Sequence, residues 1–439
     1  MSQSTSAESN GKELVQGITR ISVRGYKSLY EECSIEIRPL TILAGANSSG
    51  KSSIMQPLLL MKQTLEVTYD PGALLLNGPN LKFTLAKQLF SHSSSRSYNN
   101  SFTTQIEIEN NKAVTNTFQK PQSQKIKIIQ AIYKIENEEF MLLPKMTHEE
   151  IVGILPERLE KHYKLVSRFF KDEFRWKVSR IRCFLDFYLD ARLNPRFFAS
   201  HFEKHVRNLI HIPGLRGNPE RTYPITAVSN KFSGTFESYV ASIVNHWKKA
   251  GGRQLKDLES NLEALGLTDK IEARRVNDVQ IELRVSRLPG SDDASDMVSI
   301  ADVGLGVSQV LPVLVALLAA EPGQLVYLEQ PEIHLHPRAQ AALAEILADA
   351  ANRGVRVVVE THSDLLLKRI QSLVAEDKIS EDKVKLHWFR RGEDGVTRVS
   401  SADLTDAGAF GNWPEDFGDV ALKEESRYLD AAFLKLQRQ

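Results

Sequence analysis

Apolar positions along the chain come in two alternating forms. Short runs such as TILA (Thr41–Ala44), LVYL (Leu325–Leu328) and VVV (Val357–Val359) are apolar throughout, as strands read when both faces of their sheet are covered. Longer stretches repeat at helical spacing: Lys51 to about Thr68, GVSQVLPVLVALLAA (Gly306–Ala320), PRAQAALAEILADAANRG (Pro337–Gly354) and SDLLLKRIQSLVAE (Ser363–Glu376). Strand and helix in alternation predict an α/β fold with helices on both faces of a sheet. Other segments alternate residue by residue and predict strands: ITRISVRGYKSL (Ile18–Leu29), turning at Gly25; CSIEIRPLTILAGA (Cys33–Ala46), with a turn at Pro39; and RVNDVQIELRV (Arg275–Val285). SFTTQIEIEN and KIKIIQAIYKI predict a hairpin or meander, and EDGVTRVSSADLTD a hairpin and loop between Trp388 and Phe410. From Glu157 to about Asn208 the spacing predicts helices.

Composition narrows the class. With 42% hydrophobic and 25% charged residues, the chain can bury a sizeable core. A formal charge of +1 points to no partner, so any nucleic-acid contact has to come from a local patch. Cys33 and Cys183 are too few for a disulfide framework or a zinc cluster, and suit a reducing compartment. The polar first residues carry no apolar export segment. Val310–Ala320 contains Pro312 and meets Glu321, well short of the roughly 20 residues of a membrane span. A cytoplasmic protein without membrane contact is expected.

GANSSGKS (Gly45–Ser52) has the spacing G-x-x-x-x-G-K-[ST], between an apolar strand and a helix. Gly45 and Gly50 let the backbone curl so that N–H groups of Gly45, Ala46, Asn47, Ser48, Ser49, Gly50, Lys51, Ser52 and Ser53 face phosphate oxygens. Lys51 suits the terminal phosphates and Ser52 a Mg²⁺ ion. The competing reading is a chance Gly/Ser-rich loop, which the strand and helix flanks disfavour.

Three further stretches follow. DVGLGVSQVLPVL (Asp302–Leu314) places Gly304, Gly306, Ser308 and Gln309 at a helix start, a second anion-binding terminus or a turn capped by Ser308. LVYLEQPEIHLHP (Leu325–Pro337) ends an apolar strand on Glu329, where a carboxylate can hold Mg²⁺ or its water. VVVETHSD delivers His362 to the same sheet edge.

Together these resemble the ATP-binding cassette superfamily, in its non-transporter branch of RecF-, SMC- and OLD-like ATPases. Similar single-chain bacterial AAA-type ATPases are often encoded beside phage-defence genes. The resemblance implies a P-loop NTPase with a mixed sheet and helices on both faces. It covers roughly Ile18–Phe90 and Val279–Val374, with a weaker tail. Gly45–Ser52 match the Walker A loop; Gly304, Gly306, Ser308 and Gln309 the signature; Leu325–Glu329 Walker B; and His362 the switch histidine. EIHLHPRAQ corresponds to the D-loop, and Gln88 is a candidate for the Q-loop glutamine beside the metal. ATP and Mg²⁺ are the implied cofactors, and a homodimer or higher oligomer sharing its ATP sites is the implied assembly. HIPGLRGNPERTYPI (His211–Ile225) and GNWPEDFGDVAL (Gly411–Leu422) resemble segments of the same branch. Arg216 and Arg221 could reach phosphate or a neighbouring subunit, or be exposed loop residues.

The cassette pattern has an acid and then a catalytic glutamate, so Glu329 takes the metal position and Gln330 the catalytic one. Glutamine can orient a water but cannot take its proton, which predicts slow turnover. Glu332 could act as base instead, or be a structural acid of the D-loop. EQPE reads as native, with a substitution made to trap ATP as the alternative.

The expected organisation is a tail (1–17), two parts of an ATPase domain (18–95 and 279–400), an insertion (96–278) and a tail domain (401–439). Between Glu157 and Arg207 stand thirteen Lys and Arg against seven Asp and Glu, interleaved with Phe169, Phe170, Phe174, Trp176, Phe184, Phe187 and Tyr188. That mixture suits DNA or RNA contact, a protein partner, or a core with a solvated basic face. The stretch after His362 is too short for the nuclease domain of OLD-like relatives, so a separate effector, a nuclease or toxin, is expected. The favoured reading is an ATP-dependent switch controlling that effector in antiphage defence. The rivals are a DNA-repair clamp ATPase and a transporter's nucleotide-binding subunit.

Overall fold

The computed structural model describes residues 17–92, 99–121, 125–155, 175–189, 197–228, 231–288, 290, 296–411 and 419–436. Its centre is a six-stranded sheet ordered Ile210–Ile212, Leu325–Glu329, Arg356–Glu360, Leu40–Gly45, Val384–Arg391 and Thr397–Ala402. The first five strands run parallel. Thr397–Ala402 turns back antiparallel on its neighbour, so the sheet is mixed.

Side chains on these strands alternate between two cores, because successive residues of a strand point to opposite faces. Ile42, Val326, Leu328, Val357 and Val359 pack with the helices Leu305–Ala319, Pro337–Asn352 and Asp364–Ala375. Leu43, Leu325, Tyr327, Val358 and Phe389 pack with the helix Lys51–Glu66 and an antiparallel sheet. Burial on both faces is why these strands are apolar throughout. The architecture is that of a P-loop NTPase, with Gly45, Glu329 and Glu360 delivered to one edge of the sheet.

The antiparallel sheet runs Cys33–Glu36, Ile18–Arg24, Ser101–Ile108, Lys112–Gln119, Lys127–Ile135, Glu138–Leu142. The expected meander is present and has two more strands than its sequence displays, Lys112–Gln119 and Glu138–Leu142. Ile18–Arg24 pairs with Ser101–Ile108, so this sheet spans residue 95, and Ile210–Ile212 carries the middle segment into the central sheet.

Of the helical expectation between Glu157 and Asn208, residues 157–174 and 190–196 lie outside the described residues; it is corrected at Trp176–Leu189. Trp176–Ile181 and Phe184–Leu189 form an antiparallel hairpin, and only Ala199–Arg207 is helical among the described residues. FLDFYL is too short and too uniformly apolar for spacing to separate helix from strand, and aromatic side chains favour a pleated, half-buried surface. Trp176, Phe184 and Phe187 are buried in the core, which removes them as bases' stacking partners. Phe169, Phe170 and Phe174 lie outside the described residues. Among the described residues no helix is long and apolar enough to cross a membrane.

Candidate functional site

The loop between the Leu40–Gly45 strand and the Lys51–Glu66 helix is shaped by two glycines. Gly45 has φ +138° and Gly50 +104°, a region that favours glycine. A Cβ on Gly45 would stand 2.2 Å from the Phe389 carbonyl oxygen, and one on Gly50 2.5 Å from the Thr397 hydroxyl. The helix opens at Gly50 with no side-chain cap, leaving its first N–H groups for a ligand. Lys51 is folded into the loop, its Nζ donating to the Gly45 and Ala46 carbonyls at 2.9 Å. Burial lowers the Lys51 pKa, and the charges of Glu360 and Glu332 oppose that. The buried Ser49 hydroxyl has no protein partner.

These groups line a pocket of about 580 Å³, a size that suits a nucleotide. Its wall includes Ser48 to Ser53, Gln88 and Glu360, together with Lys27 and Arg391. Gln88 is therefore at the phosphate loop, although its Oε1 accepts from the Leu85 N–H at 3.0 Å. Ser52 Oγ donates to Glu360 Oε1 at 3.0 Å. A hydroxyl beside a carboxylate, at the mouth of a phosphate loop, fits a Mg²⁺ ion completed by phosphate and water oxygens. Such an ion would neutralise charge on a bound triphosphate.

Glu329 ends its strand opposite Glu360. It accepts from His211 Nε2 at 3.0 Å and from the Gly214 N–H at 3.3 Å. Burial raises its pKa, but the His211 hydrogen bond and charge outweigh this and hold it below the usual value. Gln330 has φ +44°. With Glu332, His334 and His362 it lines a second pocket of about 300 Å³ beside the first. Glu332 Oε1 accepts from the Thr361 hydroxyl at 2.6 Å and the His362 N–H at 3.0 Å, while its buried Oε2 has no partner. His362 is exposed, and desolvation and then the Lys51 charge lower its pKa, leaving it neutral at pH 7.

The signature segment stands apart from this phosphate loop. Its helix begins at Leu305 with Gly304 as N-cap, so Ser308 does not cap it; the Ser308 hydroxyl donates to the Leu305 carbonyl at 3.1 Å. Gln309 is buried, its Nε2 donating to the Gly217 carbonyl at 3.0 Å. None of Gly304, Gly306, Ser308 and Gln309 lines the phosphate pocket. A Cβ on Gly306 would lie 3.7 Å from the His334 carbonyl oxygen, so signature and D-loop adjoin.

Arg216 is buried, 7% exposed, and does not line the phosphate pocket; its guanidinium donates to the Gln309 carbonyl at 2.6 Å and the Gln330 carbonyl at 2.8 Å. It ties the signature helix to the residue after Glu329. Arg216→Ala removes two charge-assisted hydrogen bonds and the packing of a buried side chain and should lower the unfolding free energy by about 2–4 kcal/mol, with Arg216→Lys restoring only part. Denaturant unfolding measures this; a wild-type midpoint for the alanine variant would remove the tie. Arg221, by contrast, is exposed and paired with Asp302 at 2.7 Å, a contact of little energetic weight. Sequence reasoning missed Glu360, Tyr327, His211, Lys27 and Arg391. The pattern gave the strands Leu325–Glu329 and Arg356–Glu360 but not which side chains at their ends would meet, and it did not show the strand Ile210–Ile212 that carries His211.

Residues 17–179 match the family described as AAA ATPase domain. Residues 177–368 match the family described as AAA domain, putative AbiEii toxin, Type IV TA system. No curated protein matches. Among solved structures, an SMC head bound to the C-winged helix domain of ScpA is 14% identical, with 89% of this chain and 99% of that one covered and a TM-score of 0.49. The SMC head domain from Thermotoga maritima is 12% identical, with 88% and 98% covered and a TM-score of 0.41. An Smc head with an extended coiled coil from Pyrococcus furiosus, bound to the C-terminal domain of ScpA, is 11% identical, with 88% and 96% covered and a TM-score of 0.43. Each of the two family matches covers less than half of the chain; both are AAA domains, and with the phosphate loop they agree with a P-loop NTPase fold.

Proposed function

We propose that the chain is an ATP-driven switch: ATP and Mg²⁺ held by the phosphate loop draw two copies together, and the closed state controls a separate effector protein. One observation carries this reading. The signature segment and the phosphate loop both open to solvent but do not share a pocket, so within one chain neither completes the other. A second copy could lay its signature helix N-terminus on the terminal phosphate. Large apolar side chains are exposed around these motifs: Leu215, Leu305, Ile333 and Leu365. Exposed apolar residues grouped around functional segments are the kind of surface that association buries. Two surfaces that wait for ATP suit a switch better than a continuously cycling motor, and Gln330 in the catalytic position agrees with slow turnover.

The effector arm of the proposal draws on the family description, which names a toxin and a toxin–antitoxin system. It also draws on the helix Asp419–Leu436, which presents Tyr428, Leu429 and Phe433 to solvent. A nuclease or toxin held or released by the ATP-bound state, in antiphage defence, is the form this reading takes.

Ser308→Arg tests the shared site. The substitution places a long cation on the exposed helix start, away from the chain's own phosphate pocket. Light scattering should show wild type gaining mass with ATP and Mg²⁺, while the variant keeps its nucleotide affinity and its nucleotide-free mass. If Ser308→Arg assembles as wild type does, the sites are not shared through this segment.

A further inference from the structure

We propose that Glu360 is a metal-site carboxylate in its own right, standing beside Ser52 in the place that the sequence motifs assign to Glu329, and that it makes the pocket prefer metal-complexed over free nucleotide. This rests on the nucleotide-binding reading above.

The sheet order carries the argument. The strand Arg356–Glu360 lies between the Leu325–Glu329 strand and the phosphate-loop strand Leu40–Gly45. Its final carboxylate is therefore one strand nearer the loop than Glu329. Glu360 lines the phosphate pocket, and Glu329 does not. Ser52 Oγ donates to Glu360 Oε1 at 3.0 Å, and the Tyr327 hydroxyl donates to Oε2 at 3.0 Å. Both oxygens of Glu329 are engaged by His211 and the Gly214 N–H, and the Tyr327 hydroxyl lies against Glu329 as well as Glu360. Glu329 is thus taken up by other partners and lines no part of the pocket, while Glu360 is held against Ser52.

Mg²⁺ takes oxygen ligands and keeps several waters, so a site needs only one or two protein groups besides phosphate. The Ser52 hydroxyl and the Glu360 carboxylate supply such a pair, directly or through a bound water. Glu360 is 6% exposed, so its charge is weakly screened. An unscreened carboxylate attracts a dication and repels a bare triphosphate. The site then discriminates between ATP with its metal and ATP without. Tyr327 is a positioning residue: fully buried, it fixes Oε2 and so turns Oε1 toward Ser52.

The test separates metal from nucleotide. Mn²⁺ is titrated into the full chain with a non-hydrolysable ATP analogue, and free Mn²⁺ is read by electron paramagnetic resonance. A fluorescent ATP analogue reports nucleotide affinity in EDTA and in Mg²⁺. Glu360→Gln keeps the shape and removes the charge. The Mn²⁺ concentration for half-saturation should rise about 10–100-fold, the usual cost of losing a group that supports a metal site. Affinity for nucleotide in EDTA should hold or tighten. Tyr327→Phe should move the Mn²⁺ midpoint in the same direction by less. If Glu360→Gln titrates as wild type while Glu329→Gln is shifted, Glu329 is the metal acid and the proposal is overturned. If affinities with and without metal fall together, Glu360 only supports the loop, which also overturns it. A wild-type chain that binds no nucleotide in either condition would instead bring down the nucleotide-binding reading and this inference with it.

Discussion

Lys51→Ala is expected to weaken ATP binding by about 100-fold or more, the largest effect of any single substitution in the pocket. Lys51 is the one cation inside the loop itself, and a charge-assisted contact to phosphate contributes about 1.5–3 kcal/mol for each bond made. Its Nζ now rests on the Gly45 and Ala46 carbonyls, so a bound phosphate replaces neutral acceptors with charged ones. The side chain is 3% exposed, which leaves its attraction to phosphate poorly screened. The same burial complicates the variant, because alanine removes the donor from two loop carbonyls. Thermal melting without nucleotide measures that loss separately, and Lys51→Met keeps the aliphatic stem for comparison. Isothermal titration with ATP and Mg²⁺ gives the affinity. Binding at wild-type strength by a folded Lys51→Ala chain would place the nucleotide elsewhere.

What the sequence disclosed and what it hid divide along a physical line. Strands buried on both faces must be apolar throughout, so TILA, LVYL and VVV announced the parallel sheet. The phosphate loop was legible because its glycines answer to local geometry: positive φ at Gly45 and Gly50, with no room for a Cβ. Helix starts at Lys51, Pro337 and Asp364 were legible for the same local reasons. Contacts between distant segments were not. Arg216 looked like a loop arginine, and its acceptors lie 93 and 114 residues away. His211 meets Glu329 across 118 residues, and Ser52 meets Glu360 across 308. No spacing rule reaches that far. The hairpin at Trp176–Leu189 failed for a subtler reason. Its second strand, FLDFYL, is short and mostly apolar, and the residues that decide between helix and strand are those it packs against.

Gln330→Glu is expected to raise kcat by about 10²–10⁴-fold, the usual worth of general-base help, if a proton acceptor is what the site lacks. The backbone there is fixed from both sides. The Gln330 N–H donates to the Glu360 carbonyl at 2.7 Å, and the Gln330 carbonyl accepts from Arg216 at 2.8 Å. Its φ of +44° is strained for any side chain, but glutamate and glutamine share shape and preference, so the exchange adds no new strain. The variant therefore changes the chemistry of one atom: an amide nitrogen becomes an oxygen that can take the proton of an attacking water. His362 lines the same pocket, its pKa lowered by desolvation and then by the Lys51 charge. The rival base is Glu332, whose Oε1 holds the Thr361 hydroxyl and the His362 N–H while Oε2 stays unpartnered. The two assignments separate in a double-mutant comparison of phosphate release under saturating ATP. With Gln330 as the missing base, Glu332→Gln changes little once Gln330→Glu is present. With Glu332 as the working base, Glu332→Gln slows the wild-type chain and Gln330→Glu leaves the rate unchanged. That second pattern would mean the chain hydrolyses ATP through the D-loop acid, and that Gln330 serves to hold the water in line.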